Sequence, residues 1–272
     1  MTETAQPLTP EDPQITARFK FSLGLIREAG DLALSYFNKR DSLTIKRKGL
    51  QDMASEADLN TELLIKRRLE ARFPEDAFFG EETGTSITDA GQGIWVVDPI
   101  DGTQPFISGM SGWCVSIAFV KANTLEFGMV YAPVCNELFT GGRHHPAMLN
   151  GLPVMRHPGR SIREGIVGVG YSPHVAADTF LAVFSRLLKA GGMFFREGSG
   201  ALTLSYVGAG RLIGYVEPYI NSWDCLGAIA VVRAAGLQVN DFLANDGLHK
   251  GNHILAGNPE VYAELLAIYT AQ

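Results

Sequence analysis

The feature that most constrains the fold is the segment WVVDPIDGT at 95–103, where an apolar run ends in two aspartates on either side of a Pro-Ile pair. An uninterrupted apolar run is typical of a strand that is buried on both faces. Because proline cannot donate to a sheet ladder, we predict that the chain leaves the sheet directly after Asp98 and that Gly102 permits a tight reversal. Asp98 and Asp101 can then point into one cleft. The alternative is an ordinary turn, since Asp, Pro and Gly are the common turn residues.

Hydrophobic periodicity divides the chain into a tail and two halves that order their helices and strands differently. We predict a disordered tail over 1–12, an α+β half over 13–145 and an α/β half over 146–272. The fold class is therefore α/β, with an α+β first half.

Within the halves the pattern predicts individual elements. In the first half these are a helix over 13–39, a strand over 43–48, a helix that begins just after Asp58 as its cap and ends before Pro74, a strand over 77–82, the strand that ends at Asp98 and a β-meander over 113–143. In the second half short strands alternate with helices near 175–190, 200–209, 224–235 and 259–270.

Charge, hydropathy and cysteine content bear on whether the protein binds nucleic acid or a membrane, and on where it is located. The formal net charge is −6, which disfavours nucleic acid as a partner. No stretch approaches the roughly 20 apolar residues of a membrane span, so we predict that the protein does not bind a membrane. The three cysteines show no CxxC spacing and fit a reducing cytoplasm, which is the predicted location.

Acidic residues recur where apolar segments end. Glu81 follows AFFG, Asp98 and Asp101 end the buried strand, and Asp224 lies in NSWDC. Crowded carboxylates repel one another, so a divalent cation with oxygen ligands, Mg²⁺ above all, is the simplest compensation. An aspartyl nucleophile of the haloacid dehalogenase type needs D-x-D, whereas two residues separate the aspartates here. The spacing therefore favours attack by a metal-activated water.

Several ordered motifs together resemble the inositol monophosphatase family of lithium-sensitive, magnesium-dependent phosphatases, in its bacterial branch. The resemblance covers nearly the whole chain beyond the tail and is specific because the motifs occur in order. It rests on KGLQDMASEAD, on GEE with WVVDPIDGT, on REGSGALTLSYVGAGRLIGYVE and on WDCLGAIAVVRAAG. It implies a layered α/β/α/β/α sandwich of the sugar-phosphatase type and, from family expectation, a homodimer.

The resemblance also implies two bound Mg²⁺ ions, with a weaker third ion held at Glu81 through water. One ion would be held by Glu81, Asp98 and the carbonyl of Ile100, and the other by Asp98, Asp101 and Asp224. Asp98 would bridge the two ions.

Catalytic and substrate roles follow from the same resemblance. Thr103, hydrogen-bonded to Asp58, would orient the attacking water, and Glu81 would take part through its ions. The implied substrate contacts are Asp101, the amides of Gly102 and Thr103, the GSG turn of Gly198, Ser199 and Gly200, and then Glu217 and Asp224.

The function that the resemblance implies is a Mg²⁺-dependent phosphomonoesterase acting on inositol monophosphate or a similar small polyol or sugar phosphate. FISG followed by Trp in TQPFISGMSGW is closer to the histidinol-phosphate phosphatase branch, so histidinol phosphate is the alternative substrate. An alternative of another class is a regulatory partner of the transcription machinery with vestigial phosphatase activity.

Overall fold

The computed structural model describes residues 12–40, 45–49, 52–87, 89 and 91–271. Its helices are α1 (Pro13–Phe37), α2 (Glu56–Arg72), α3 (Thr103–Ile107), α4 (Ala177–Lys189), α5 (Gly200–Gly208), α6 (Leu226–Ala234), α7 (Gly247–Lys250) and α8 (Pro259–Thr270). Its strands are β1 (Ile45–Gly49), β2 (Asp52–Ser55), β3 (Ala77–Gly80), β4 (Gly84–Thr85), β5 (Gly93–Asp101), β6 (Cys114–Lys121), β7 (Thr124–Ala132), β8 (Glu137–Gly142), β9 (Met148–Leu149), β10 (Leu152–Pro153), β11 (Ile166–Val169), β12 (Met193–Phe195), β13 (Gly214–Ile220), β14 (Gln238–Val239) and β15 (Asn252–Gly257). Over the described part of the chain, no helix is long and apolar enough to cross a membrane.

Two large sheets and three helical layers, with a separate two-stranded sheet of β1 and β2, make up the described part of the chain. The first sheet has the strand order β10-β9-β8-β7-β6-β5-β3-β4 and the second has the order β12-β11-β13-β15-β14. Helices α1 and α2 pack on one face of the first sheet, α5 and α6 lie between the sheets, and α4 and α8 cover the outer face of the second. This is the α/β/α/β/α arrangement, so the predicted fold class is confirmed.

Strand β5 is buried over its whole length because helices cover both faces of its sheet. Trp95 and Val97 face the cluster under α1 and α2, while Ile94 and Val96 face the cluster under α5 and α6. This double burial explains why the strand reads as a continuous apolar run.

The predicted exit of the chain from the sheet after Asp98 is wrong. Pairing with β3 ends at Gly80 and Val97, but pairing with β6 resumes at Asp101 opposite Cys114. A register shift between Asp98 and Asp101 takes up the extra residue as a β-bulge, where proline needs no ladder partner. The bulge turns the two aspartates without ending the strand.

The predicted start of α2 is also wrong, because Ser55 and not Asp58 is the N-cap. The Ser55 side chain accepts a hydrogen bond from the amide of Ala57, and the Asp58 carboxylate accepts one from the amide of Ser55, forming a capping box. Asp58 is therefore the third residue of the helix.

Two other predictions fall partly outside the described residues. Of the predicted tail, 1–11 lie outside them, and Asp12 caps α1 by accepting from the amide of Gln14. Residues 43–44 of the predicted strand over 43–48 lie outside as well. Strands β9 and β10 extend the first sheet beyond residue 145, and the division of the chain there stays a prediction.

Candidate active site

Three of the predicted acids meet at one edge of the first sheet. Glu81, Asp98 and Asp224 offer carboxylate oxygens that all lie within 4.8 Å of one another. Glu81 directly follows β3 and Asp98 lies in β5, and these strands run parallel, so both acids reach the same edge. Asp224 arrives from the second half, in the turn that precedes α6.

Close packing of α6 on the first sheet delivers Asp224 to this edge. A Cβ atom on Gly128 of β7 would lie 2.3 Å from the carbonyl oxygen of Gly227 in α6, so only glycine permits this approach. Asn221 then orients the acid, because its side-chain amide donates to Asp224 Oδ2 at 3.0 Å.

The cluster carries more negative charge than its surroundings compensate. Asp98 is 1% exposed, and burial followed by the charges of Glu81, Asp101 and Asp224 raises its pKa well above the ordinary value. Burial likewise raises the pKa of Asp224. Crowded carboxylates with only oxygen donors, Asp98 buried and Glu81 and Asp224 half-buried, match the preference of a hard divalent cation, so the residues present fit Mg²⁺.

Asp101 lies beside this group but is turned toward the second half. Its Oδ2 atom accepts hydrogen bonds from Ser199 Oγ at 2.5 Å and from the amide of Ala201 at 2.7 Å. Burial and then Asp224 raise its pKa to about 7, although these hydrogen bonds oppose the shift. One carboxylate oxygen thus holds the start of α5, and the role of Asp101 as a metal ligand stays a prediction.

The predicted hydrogen bond between Thr103 and Asp58 is present. Thr103 Oγ1 lies 3.3 Å from Asp58 Oδ1 and 3.2 Å from the carbonyl oxygen of Ile100, and it can donate to either. The other oxygen of Asp58 accepts from the amide and hydroxyl of Ser55, so the carboxylate is fixed at both ends. Gly102, at φ 94°, makes the turn between Asp101 and Thr103.

The predicted substrate residues of the GSG turn and of β13 form a separate wall of the site. Gly198 has φ 107°, and Ser199 caps α5 by accepting from the amide of Leu202 at 3.0 Å. Glu217 projects from β13 and accepts from the Tyr215 hydroxyl at 2.7 Å. Burial raises the pKa of Glu217 to about 8.

A cleft of about 830 Å³ joins the acids to this wall. All the predicted site residues except Asp58 line it, together with Tyr171, His174, Arg196 and Tyr215, which the sequence reasoning missed. Tyr215 could have been found, because it lies two residues before Glu217 and alternate strand residues share a face. Arg196 directly precedes the EGSG turn but carries no motif of its own.

The chain matches known proteins over most of its length. The profile of the inositol monophosphatase family matches residues 15–272. Among curated proteins, the chain is 33% identical over 243 residues to a Nus factor SuhB of Haemophilus influenzae, covering 88% of this chain and 91% of that protein.

Solved structures of similar proteins match the fold of this chain over most of its length. The native crystal structure of the extragenic suppressor protein suhB of Bartonella henselae matches with a TM-score of 0.86 at 28% identity, over 93% of this chain and 98% of that one. The Thermotoga maritima IMPase matches with a TM-score of 0.81 at 28% identity, over 93% and 96% of the two chains.

Proposed function

Because the chain belongs to the inositol monophosphatase family, we propose that it is a Mg²⁺-dependent phosphomonoesterase that hydrolyses inositol monophosphate or a similar small polyol or sugar phosphate. The observation that carries the proposal is the meeting of Glu81, Asp98 and Asp224, with their oxygens within 4.8 Å, in a cleft large enough for such an ester.

The acids would hold two Mg²⁺ ions. Glu81, Asp98 and the carbonyl of Ile100 would hold one, and Asp98, Asp101 and Asp224 the other, with a weaker third ion at Glu81. Divalent cations bound in this way lower the pKa of water and stabilise charge on phosphoryl and leaving oxygens. The acids of this chain alone would repel a phosphate, so their ligand role also explains how an anionic substrate can enter.

Thr103 and Asp58 would orient the attacking water. When Thr103 Oγ1 donates its proton to Asp58, its remaining lone pairs are free to accept a hydrogen bond from water. The water oxygen then forms a bond to phosphorus as the phosphorus–oxygen bond to the alcohol breaks. The amides of Gly102 and Thr103, two residues that line the same cleft, would donate to phosphate oxygens.

The far wall of the cleft would hold the leaving alcohol. Glu217, whose pKa burial raises to about 8, can donate or accept a hydrogen bond to a substrate hydroxyl. The small residues Gly198, Ser199 and Gly200 leave the backbone open to close approach. This chemistry suits a polyol more than an extended apolar group.

Two other candidates come from specific observations. The segment FISG followed by Trp favours histidinol phosphate as an alternative substrate. The name Nus factor, carried by relatives such as that of Haemophilus influenzae, favours a regulatory partner of the transcription machinery. The full set of acids argues for retained chemistry, and a binding role would be compatible with it. A homodimer in the cytoplasm is part of the same proposal.

Steady-state kinetics on inositol 1-phosphate, histidinol phosphate and fructose 1,6-bisphosphate, with Asp98→Asn as the control, test the proposal. We expect Mg²⁺-dependent phosphate release with the highest kcat/KM on inositol 1-phosphate. A higher value on histidinol phosphate would transfer the assignment to that substrate. If the folded, Mg²⁺-loaded protein cleaves none of the three esters, the proposed phosphatase activity is wrong and the regulatory binding role remains.

A further inference from the structure

The side chain of Glu62, in the middle of α2, is fully buried yet does not reach the cleft. Its two carboxylate oxygens accept hydrogen bonds from consecutive backbone amides, Oε2 from Glu82 at 2.8 Å and Oε1 from Thr83 at 2.7 Å. Such charge-assisted bonds, made in pairs, hold a turn more firmly than neutral hydrogen bonds do. Glu62 therefore fixes the turn that directly follows Glu81.

Glycine at position 80 allows this contact. A Cβ atom on Gly80 would lie 2.5 Å from Cδ and Oε2 of Glu62, so any larger residue would push the carboxylate away. Glu81 is fixed on its other side as well, because its amide donates to the carbonyl of Val97 in β5 at 3.3 Å. The backbone at Glu81 is thus held by the sheet before it and by Glu62 after it.

Glu62 and Asp58 lie four residues apart and share one face of α2. Asp58 reaches Thr103 on one side of the candidate site, and Glu62 reaches the turn of Glu81 on the other. One helical face therefore holds two separate parts of the site in register.

We propose that Glu62 is a positioning residue that sets the affinity of the Glu81 site for its divalent cation. The proposal rests on the metal-dependent function proposed above. Only a carboxylate can serve both amides, because it is acceptor-only at both oxygens. A glutamine offers one acceptor and turns an N–H group toward the second amide, so one hydrogen bond becomes a repulsive contact.

Mn²⁺ titration followed by the EPR signal of the free ion tests this without relying on catalysis. We expect Glu62→Gln to raise the Mn²⁺ dissociation constant by about tenfold or more, the usual effect of removing a group that orients a metal ligand. We expect KM for inositol 1-phosphate at saturating metal to change less than twofold.

The matched control is Asp76→Asn, an acid-to-amide change at a buried carboxylate beside the other end of β3. It should lower the melting temperature in EDTA but leave the Mn²⁺ dissociation constant at the wild-type value. If Glu62→Gln behaves like this control, Glu62 only stabilises the fold and the proposal is overturned. If Glu62→Gln does not fold, Gly80→Ala replaces it in the test. Its added Cβ atom would meet the Glu62 carboxylate at 2.5 Å and the Phe78 ring at 2.6 Å, and this variant must show the same loss of affinity.

The outcome is separable from failure of the proposed function. Wild-type protein that binds no Mn²⁺ would refute the metal-dependent function itself. Wild-type protein that binds Mn²⁺, with unchanged affinity in Glu62→Gln, would refute only the positioning role.

Discussion

The acids at the two ends of strand β3 have opposite electrostatic surroundings. Before the strand, the Asp76 side chain is 3% exposed and accepts two hydrogen bonds from the Arg18 guanidinium, at 2.7 and 2.8 Å, and one from Trp95 Nε1 at 3.0 Å. After the strand, Glu81 joins Asp98 and Asp224, and the charges that most affect Asp98 are all carboxylates.

The difference separates stability from function within one strand. At the Asp76 end the chain supplies its own cation, so the charges are compensated as soon as the protein folds. At the Glu81 end, the part of the chain that the structure describes supplies no ion pair to Asp98, Asp101 or Asp224. We interpret the first end as a structural ion pair and the second as a site that is completed by a cation from solution. Three substitutions and a change of pH test whether the two ends differ in this way.

The largest expected effect is on catalysis at the Glu81 end. Asp98→Asn should lower kcat/KM for inositol 1-phosphate by roughly a thousandfold, because it removes the ligand shared by both proposed ions. The same change should raise the melting temperature in EDTA, since it removes one of several repelling charges. Phosphate release and thermal unfolding measure the two effects, and a less stable metal-free Asp98→Asn would contradict the claim of uncompensated charge.

At the Asp76 end the same chemical change should act in the opposite direction. Asp76→Asn leaves Arg18, which is 5% exposed, without its buried counter-charge, and we expect a loss of about 3 kcal/mol of unfolding free energy. Urea unfolding in EDTA measures it. Exposed Glu75 also pairs with Arg18, at 2.7 Å, so a much smaller loss would mean that Glu75 takes over the compensation.

The crowded acids at the Glu81 end should also make the stability of the protein depend on pH. Burial raises the pKa of Asp101 from 3.8 to about 7 and that of Glu217 from 4.5 to about 8. The folded state therefore binds more protons than the unfolded state between about pH 4 and 8, and stability must fall as pH rises through this window.

We expect the free energy of unfolding in EDTA to fall across that window, and to fall less in Mg²⁺ because the cation favours the ionised acids. Urea unfolding at pH 5 and pH 8, with and without Mg²⁺, measures it. Stability that rises with pH in EDTA would mean that the acids are already compensated.

The smallest effect is expected at an exposed ion pair. Arg68 donates to Glu28 at 2.6 Å, but both side chains are largely in solvent. Arg68→Ala should therefore leave the urea midpoint of unfolding unchanged. A shift as large as that of Asp76→Asn would mean that pairing itself, and not burial, decides the stability of the Asp76 end.

Most of the fold could be predicted because periodicity and turn residues were consistent along the chain. The helix over 259–270 coincides with α8, and the meander over 113–143 contains β6, β7 and β8. The two wrong predictions, the end of the strand at Asp98 and the start of α2 at Asp58, have one cause. Each rests on the preference of a single residue and does not consider the residues that pair with it in the folded chain. Pro99 ends a strand only where a partner needs its N–H group, and here a bulge removes that need. Asp58 resembles a cap, but Ser55 three residues earlier forms the capping box with it.

The sequence predicts which residues belong to the site, but not which partners their side chains contact. Glu81, Asp98 and Asp224 could be identified because they are acids beside apolar segments. A carboxylate near a buried segment is costly unless it is paired or binds a metal. The orientation of Asp101 toward Ser199 depends on how the two halves pack and has no local signal. The Glu62 contact depends on the path of α2 over Gly80, which only the folded chain defines.

The most direct test of the central claim is a Mn²⁺ titration of EDTA-stripped protein, followed by EPR, for the wild type and for Asp98→Asn. We expect saturable binding of two ions by the wild type, displaced by Mg²⁺, and loss of that binding in Asp98→Asn. Equal binding by the two proteins, or no saturable binding by the wild type, would contradict the claim that the acids after β3 are completed by a cation from solution.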